Sequence, residues 1–206
     1  MKRMKKAVLT LMILSVLILP AGGAGERSVQ APGFVPGSVP AGSGMAESMA
    51  PALHGMLLAM LNRDVQVFDP ADRALAWESL YNMLSLYGQL DSRSSSDNGE
   101  LFLPEETVQD YASALKADID ALPELPAELR DRINYDNVSR CYVIFRGEDD
   151  QARVQVDDTR RADDALILTG SLVCEVDGQI LTRFQAVLQP QDNMFGWAVT
   201  ALTVTG

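Results

Sequence analysis

Residues 166–188, LILTGSLVCEVDGQILTRFQAVL, decide the fold. Apolar side chains recur at every second position, with Leu166, Leu168, Leu172, Cys174 and Val176 on one face of the first run. Ile180, Phe184, Ala186 and Leu188 then share one face of the second. A period of two is that of a strand with one side buried, and Asp177-Gly178 between the runs marks a hairpin. Both apolar sets are even-numbered. A two-residue turn would pair even with odd and set Leu172 opposite Arg183, so an odd-length loop with Gly178 in a left-handed bulge is expected.

Working outward, further runs rich in β-branched and aromatic residues cover 138–145, 153–157 and 195–204, joined by polar or Gly-containing turns. They extend the hairpin into an antiparallel meander. Upstream the period changes to that of a helix. Leu53, Met56, Leu57, Met60 and Leu61 predict a helix over 47–62, with Pro51 tolerated in its opening turn. Trp77, Leu80, Tyr81, Leu84 and Tyr87 predict a second helix, N-capped by Asp69 with Pro70 first, Asp72 in the opening turn and Gly88 as its stop. Residues 91–100 read as a polar loop. A third helix opens at Pro104 with Glu105 and Glu106 against its dipole. Its inner face carries Val108, Tyr111, Ala112, Leu115, Ile119 and Leu122, and Pro123 and Pro126 end it before a short helical turn near 127–132.

Helices followed by strands give an α+β domain, in which N-terminal helices pack on one face of a curved antiparallel sheet. The order of elements, the helix bearing Trp77, Tyr81 and Tyr87, and the Leu188-Gln189-Pro190 turn followed by Phe195-Gly196-Trp197 resemble secreted NTF2-like (cystatin-like) cones. The likeness spans residues 69–206 and is architectural. It implies a concavity between helices and sheet, lined by Trp77, Tyr81, Tyr111, Phe184 and Trp197. It also implies that, where such cones act as enzymes, a carboxylate works with a tyrosine, for which Tyr81, Tyr87, Tyr111 and Tyr142 are the available donors.

The first residues carry a different message. Met1 to Lys6 is basic, Ala7 to Leu19 is an unbroken apolar run too short to span a bilayer as a helix, and Pro20 to Gly25 supplies small residues for cleavage. Residues 1–25 therefore read as a bacterial export signal, 26–45 as a Gly/Pro-rich flexible linker, and 46–206 as one domain. The product is expected to be secreted or extracytoplasmic, with no stable membrane anchor after cleavage and no lipidated cysteine. Export brings an oxidising compartment, so Cys141 and Cys174 are either a disulfide or two free thiols acting as small hydrophobes.

A formal net charge of −11, with Arg160-Arg161 as the one adjacent basic pair outside the leader, argues against nucleic acid as a partner. The single histidine, His54, is expected at the surface of the first helix, which leaves no imidazole for a nucleophile–base device. Two cysteines and one histidine lack the paired spacing of a zinc site, and no phosphate-cradling glycine motif is present, so no cofactor is expected. The acidic pairs Asp149-Asp150, Asp157-Asp158 and Asp163-Asp164 fit solvated turns better than a calcium loop. The expectation is a non-catalytic binding module for a small apolar ligand or a protein partner, with room for a homodimer through the sheet. A cone-fold hydrolase or isomerase using a Tyr/carboxylate pair and a structural envelope protein are the alternatives.

Overall fold

The computed structural model describes residues 43–117, 125–147 and 151–205, all within the compact unit Ser38–Gly206. Four helices and eight strands are placed among the described residues: α1 (Ser43–Ser48), α2 (Ala50–Arg63), α3 (Arg73–Tyr87), β1 (Ser95–Asp97), β2 (Glu100–Pro104), α4 (Glu105–Ala114), β3 (Ile133–Asp136), β4 (Cys141–Phe145), β5 (Ala152–Ala162), β6 (Ala165–Cys174), β7 (Ile180–Pro190) and β8 (Trp197–Thr205). The fold is α+β, with helices packed against a curved antiparallel sheet, as the sequence predicts. The strands divide between two four-stranded sheets, ordered β1-β2-β4-β3 and β5-β6-β7-β8. The strand around Cys141 therefore leaves the expected meander and pairs with β2.

The sheet of β5 to β8 fixes the core. Leu168, Leu172, Ala186, Leu188 and Leu202 on its inner face are buried in one core with the side chains of α2. The expected face is interrupted at the β6–β7 hairpin: Val176 is exposed in the turn, and Ile180, opposite Val173, stands on the outer face while Thr182 takes the buried position opposite Leu172. The even-with-even register is observed, with Leu168 opposite Ala186 and Gly170 opposite Phe184. The device differs from the expected odd loop: Cys174 pairs with Gln179 around a loop in which Gly178 is left-handed, and Leu181 is then an extra residue that shifts the parity. Phe184 lies over Gly170, where an added Cβ would come within 2.8 Å of its ring. At the far side of the sheet Gln66 to Phe68 annex the edge of β8, with Phe68 N–H donating to Leu202 O and Val204 N–H to Gln66 O, each at 2.9 Å.

α2 is apolar on almost every side because α3 covers what the sheet does not. The two helices cross at Gly55, where a Cβ would meet the Ser79 carbonyl at 2.6 Å and Met83 N at 2.9 Å. α2 ends in a Schellman-type cap, with Asp64 left-handed and Val65 N–H reaching Met60 O at 2.9 Å. α1 begins at Ser43, inside the stretch read as linker.

Three local expectations are corrected. Asp72, not Asp69, caps α3, accepting from Ala74 and Leu75 N–H, while Asp69 closes the preceding turn by accepting from Ala71 N–H. Gly88 stays right-handed and carries the chain into a 3-10 turn, Gly88–Leu90, instead of stopping it. The polar loop holds a β-hairpin: Asn98 and Gly99 both have positive φ, the type I′ geometry that joins β1 to β2. α4 starts after Pro104 as expected, but Lys116 turns left-handed just past its end, and Ile119 and Leu122 lie outside the described residues.

Candidate functional site

The five aromatic residues expected to line a concavity all belong to, or pack against, one buried core. Trp77, Tyr111 and Phe184 are 5%, 2% and 4% exposed and belong to the packed core, whereas Tyr81 and Trp197 are half-buried at its margin. Tyr111 meets Phe195 edge-to-face, with centroids 5.3 Å apart, and Tyr81 carries the Arg132 guanidinium 5.7 Å above its ring. None of the five lines the surface grooves found among the described residues.

The structure does assemble a buried polar cluster, and its centre is the residue expected at the surface. His54 is 2% exposed, because α2 is covered on two sides and leaves no outer face at that position. Its Nδ1 lies 2.6 Å from the Tyr87 hydroxyl at the end of α3. Tyr111, from α4, donates its hydroxyl to the Tyr87 carbonyl at 2.9 Å. Beyond it Asp91 is buried against Arg93, which holds both carboxylate oxygens and reaches Asp110 of α4 at 2.7 Å. The all-round apolar character of α2 was the sequence signal for a buried His54.

Asp91, Arg93 and Tyr111 shift one another's ionisation. The Arg93 guanidinium holds the Asp91 carboxyl below the usual range, more than offsetting its burial, and the two acids raise Arg93 in turn. Burial, and then the Asp91 charge, push the Tyr111 hydroxyl up to about 12, with Arg93 opposing. At neutral pH Asp91 is thus ionised and neutralised by Arg93, and Tyr111 is a neutral donor already engaged with a carbonyl. Asp91, Arg93 and Tyr111 together clamp the end of α3 to α4.

A second arrangement lies on the outer face of the β5–β8 sheet. A groove of about 270 Å³ is lined by Arg153, Gln155, Asp157, Ser171, Val173, Gly178, Ile180 and Arg183. Register places Gln155, Ser171, Arg183 and Thr205 in one row across all four strands. Val173 opposes Arg153 on one side and Ile180 on the other; Val173 is buried and Ile180 is the exposed apolar residue beside the polar row. Glu175 pairs with Arg153 at 3.0 Å, and Gln155 bridges Arg153 to Asp157. Among the described residues no acid pairs with Arg183. The row could not be read from the sequence, since it depends on the extra residue at Leu181.

Cys141 and Cys174 are free thiols, on β4 and β6, strands of different sheets. Among the described residues no three His, Cys, Asp or Glu side chains are placed to hold a metal ion, and no helix is long and apolar enough to cross a membrane. Asp157 and Asp158 lie on β5, Asp163 and Asp164 form the β5–β6 turn, and Asp149 and Asp150 fall outside the described residues. Compared with protein-family models, curated proteins and solved structures, the chain matches none.

Proposed function

We propose that this chain is an exported, non-catalytic module that binds an extended segment of a partner protein on the outer face of the β5–β8 sheet. One observation carries the reading: the outer face presents Arg183, a cation that no acid among the described residues pairs, beside the exposed Ile180 over a floor of buried Val173. An extended segment offers a carboxylate to the first and an aliphatic side chain to the second at strand spacing. Export is supported by the basic, apolar and small-residue order of residues 1–25. The burial of Trp77, Tyr111 and Phe184 favours a protein partner over a small apolar ligand.

The test is a photo-crosslinking amino acid at Ile180, on the groove, and at Leu90, an exposed position remote from it in sequence, in the cell that makes the protein. A discrete protein adduct from Ile180 alone, lost in Arg183→Glu, is the expected result. Equal adducts from both positions, or none, would remove the groove as a docking face. Intact mass of the released product, lacking about the first 25 residues, checks the export reading.

One observation favours an acid–base reading, namely the Asp91 charge felt by Tyr111 in a buried site. The Arg93 clamp opposes it. A bell-shaped rate profile toward an ester or an enolisable ketone, abolished by Tyr111→Phe, would restore it.

A further inference from the structure

β5 is the outer strand of its sheet and has β6 on one side only. The opposite edge of the sheet, along β8, is annexed by Gln66 to Phe68, which leaves β5 as this sheet's open margin among the described residues. Open edges are ordinarily protected by charge and bulges, and β5 has both, including an extra residue at Asp157. Protection by charge works when like charges meet. The order of charges here does the opposite.

Asp157-Asp158-Thr159-Arg160-Arg161 inverts its sign when read backwards. Laid antiparallel on a second copy with Thr159 on the two-fold axis, Asp158 of each copy stands opposite Arg160 of the other. Asp157, in the bulge, projects outward with Gln155, whereas Arg161, opposite Leu166, projects to the inner face, so these two do not meet. Asp158 and Arg160 pair within the chain with Thr169 and Ile167, so they project on the same face of the sheet and meet side by side across the axis. All four charged residues are exposed, and among the described residues Asp158, Arg160 and Arg161 make no ion pair of their own.

We propose that β5 pairs with β5 of a second copy of this chain, antiparallel and centred on Thr159, joining two four-stranded sheets into one of eight. The occupant of the edge is specified by this charge complementarity, which a second copy satisfies twice over by symmetry. The inference is independent of the proposed groove.

The experiment uses the chain produced with its native N-terminus and sedimentation across a concentration series. Wild type is expected to be a monomer–dimer mixture that shifts toward monomer with added salt. Asp158→Arg gives one variant, Arg160→Asp another. Each brings like charges together at two places, so its self-association should weaken by about tenfold. Mixed with each other, the two variants should recover a heterodimer, which also proves that both are folded. Thr159→Cys, made with Cys141 and Cys174 replaced by Ser, should form an intermolecular disulfide, and Ala162→Cys in the same background should not. A monomeric wild type, a dimer indifferent to these reversals, a mixture that does not associate, or crosslinking at Ala162 and not Thr159 would each overturn the proposal.

Discussion

In the sheet of β5 to β8 each strand pairs with its neighbour in sequence, and the strands are nine to eleven residues long. In the sheet of β1 to β4 the strands have three to five residues, and β2 reaches β4 only after the chain has passed through α4 and β3. Long strands joined locally show their alternation over many residues and carry their own register. Short strands brought together from a distance have no room for a pattern, and their pairing is decided by what they cover. Leu101, Ile144 and Ile133 stand side by side across three strands and are buried, which is the organising fact of the smaller sheet.

The sharpest way to break this contrast is to delete equivalent apolar volume from each sheet. Leu168→Ala, in the middle of the larger sheet and fully buried, should cost about 3 kcal/mol or more, because neighbours on both sides hold the cavity open. Ile144→Ala should cost nearer ~2 kcal/mol, since short strands at that site can close on the gap. Chemical denaturation of both variants measures the difference, and equal losses would show that the sheets are equally stiff.

A smaller effect, about 1 kcal/mol, is expected for Tyr111→Phe, which leaves the Tyr87 carbonyl without its donor. It has a signature in pH as well. The hydroxyl is harder to ionise folded than unfolded, so its contribution is complete below about 10 and disappears as pH rises through about 12. Thermal melts of wild type should therefore fall over that range, by more than melts of Tyr111→Phe. Parallel curves would mean that the tyrosine is not the titrating group.

The smallest change belongs to the β1–β2 turn. Gly99→Ala must hold a methyl group at φ 83°, at a cost of roughly 1 kcal/mol or less given the open space around it. Amide exchange should quicken in β1 and β2 and leave β5 to β8 untouched. Faster exchange throughout would tie the two sheets into one cooperative unit.

The same contrast explains what the sequence made legible. The alternations from Leu166 to Leu172 in β6 and from Phe184 to Leu188 in β7, the stripe from Trp77 to Leu84 and the acidic start of α4 each lie within one element, and each is where it was expected. The β1–β2 hairpin was signalled by Asn98-Gly99, but Ser95 to Asp97 are polar and exposed, so the turn stood beside no apolar run. β3, with Asn134 and Asp136 among its four residues, had no strand composition. His54 was misplaced because a helix covered on two sides has no polar face against which a histidine stands out. The outer groove and its unpaired Arg183 depend on the register of four strands and on one extra residue, information that exists only between elements.

The strap at Gln66 to Phe68 bears on how far such a protein can grow. A sheet with two bare margins can add copies at either end without limit, which is the geometry of a fibre. Here the turn between α2 and α3 has been spent as a selvedge along β8, so among the described residues β5 is the margin of this sheet left for a neighbour.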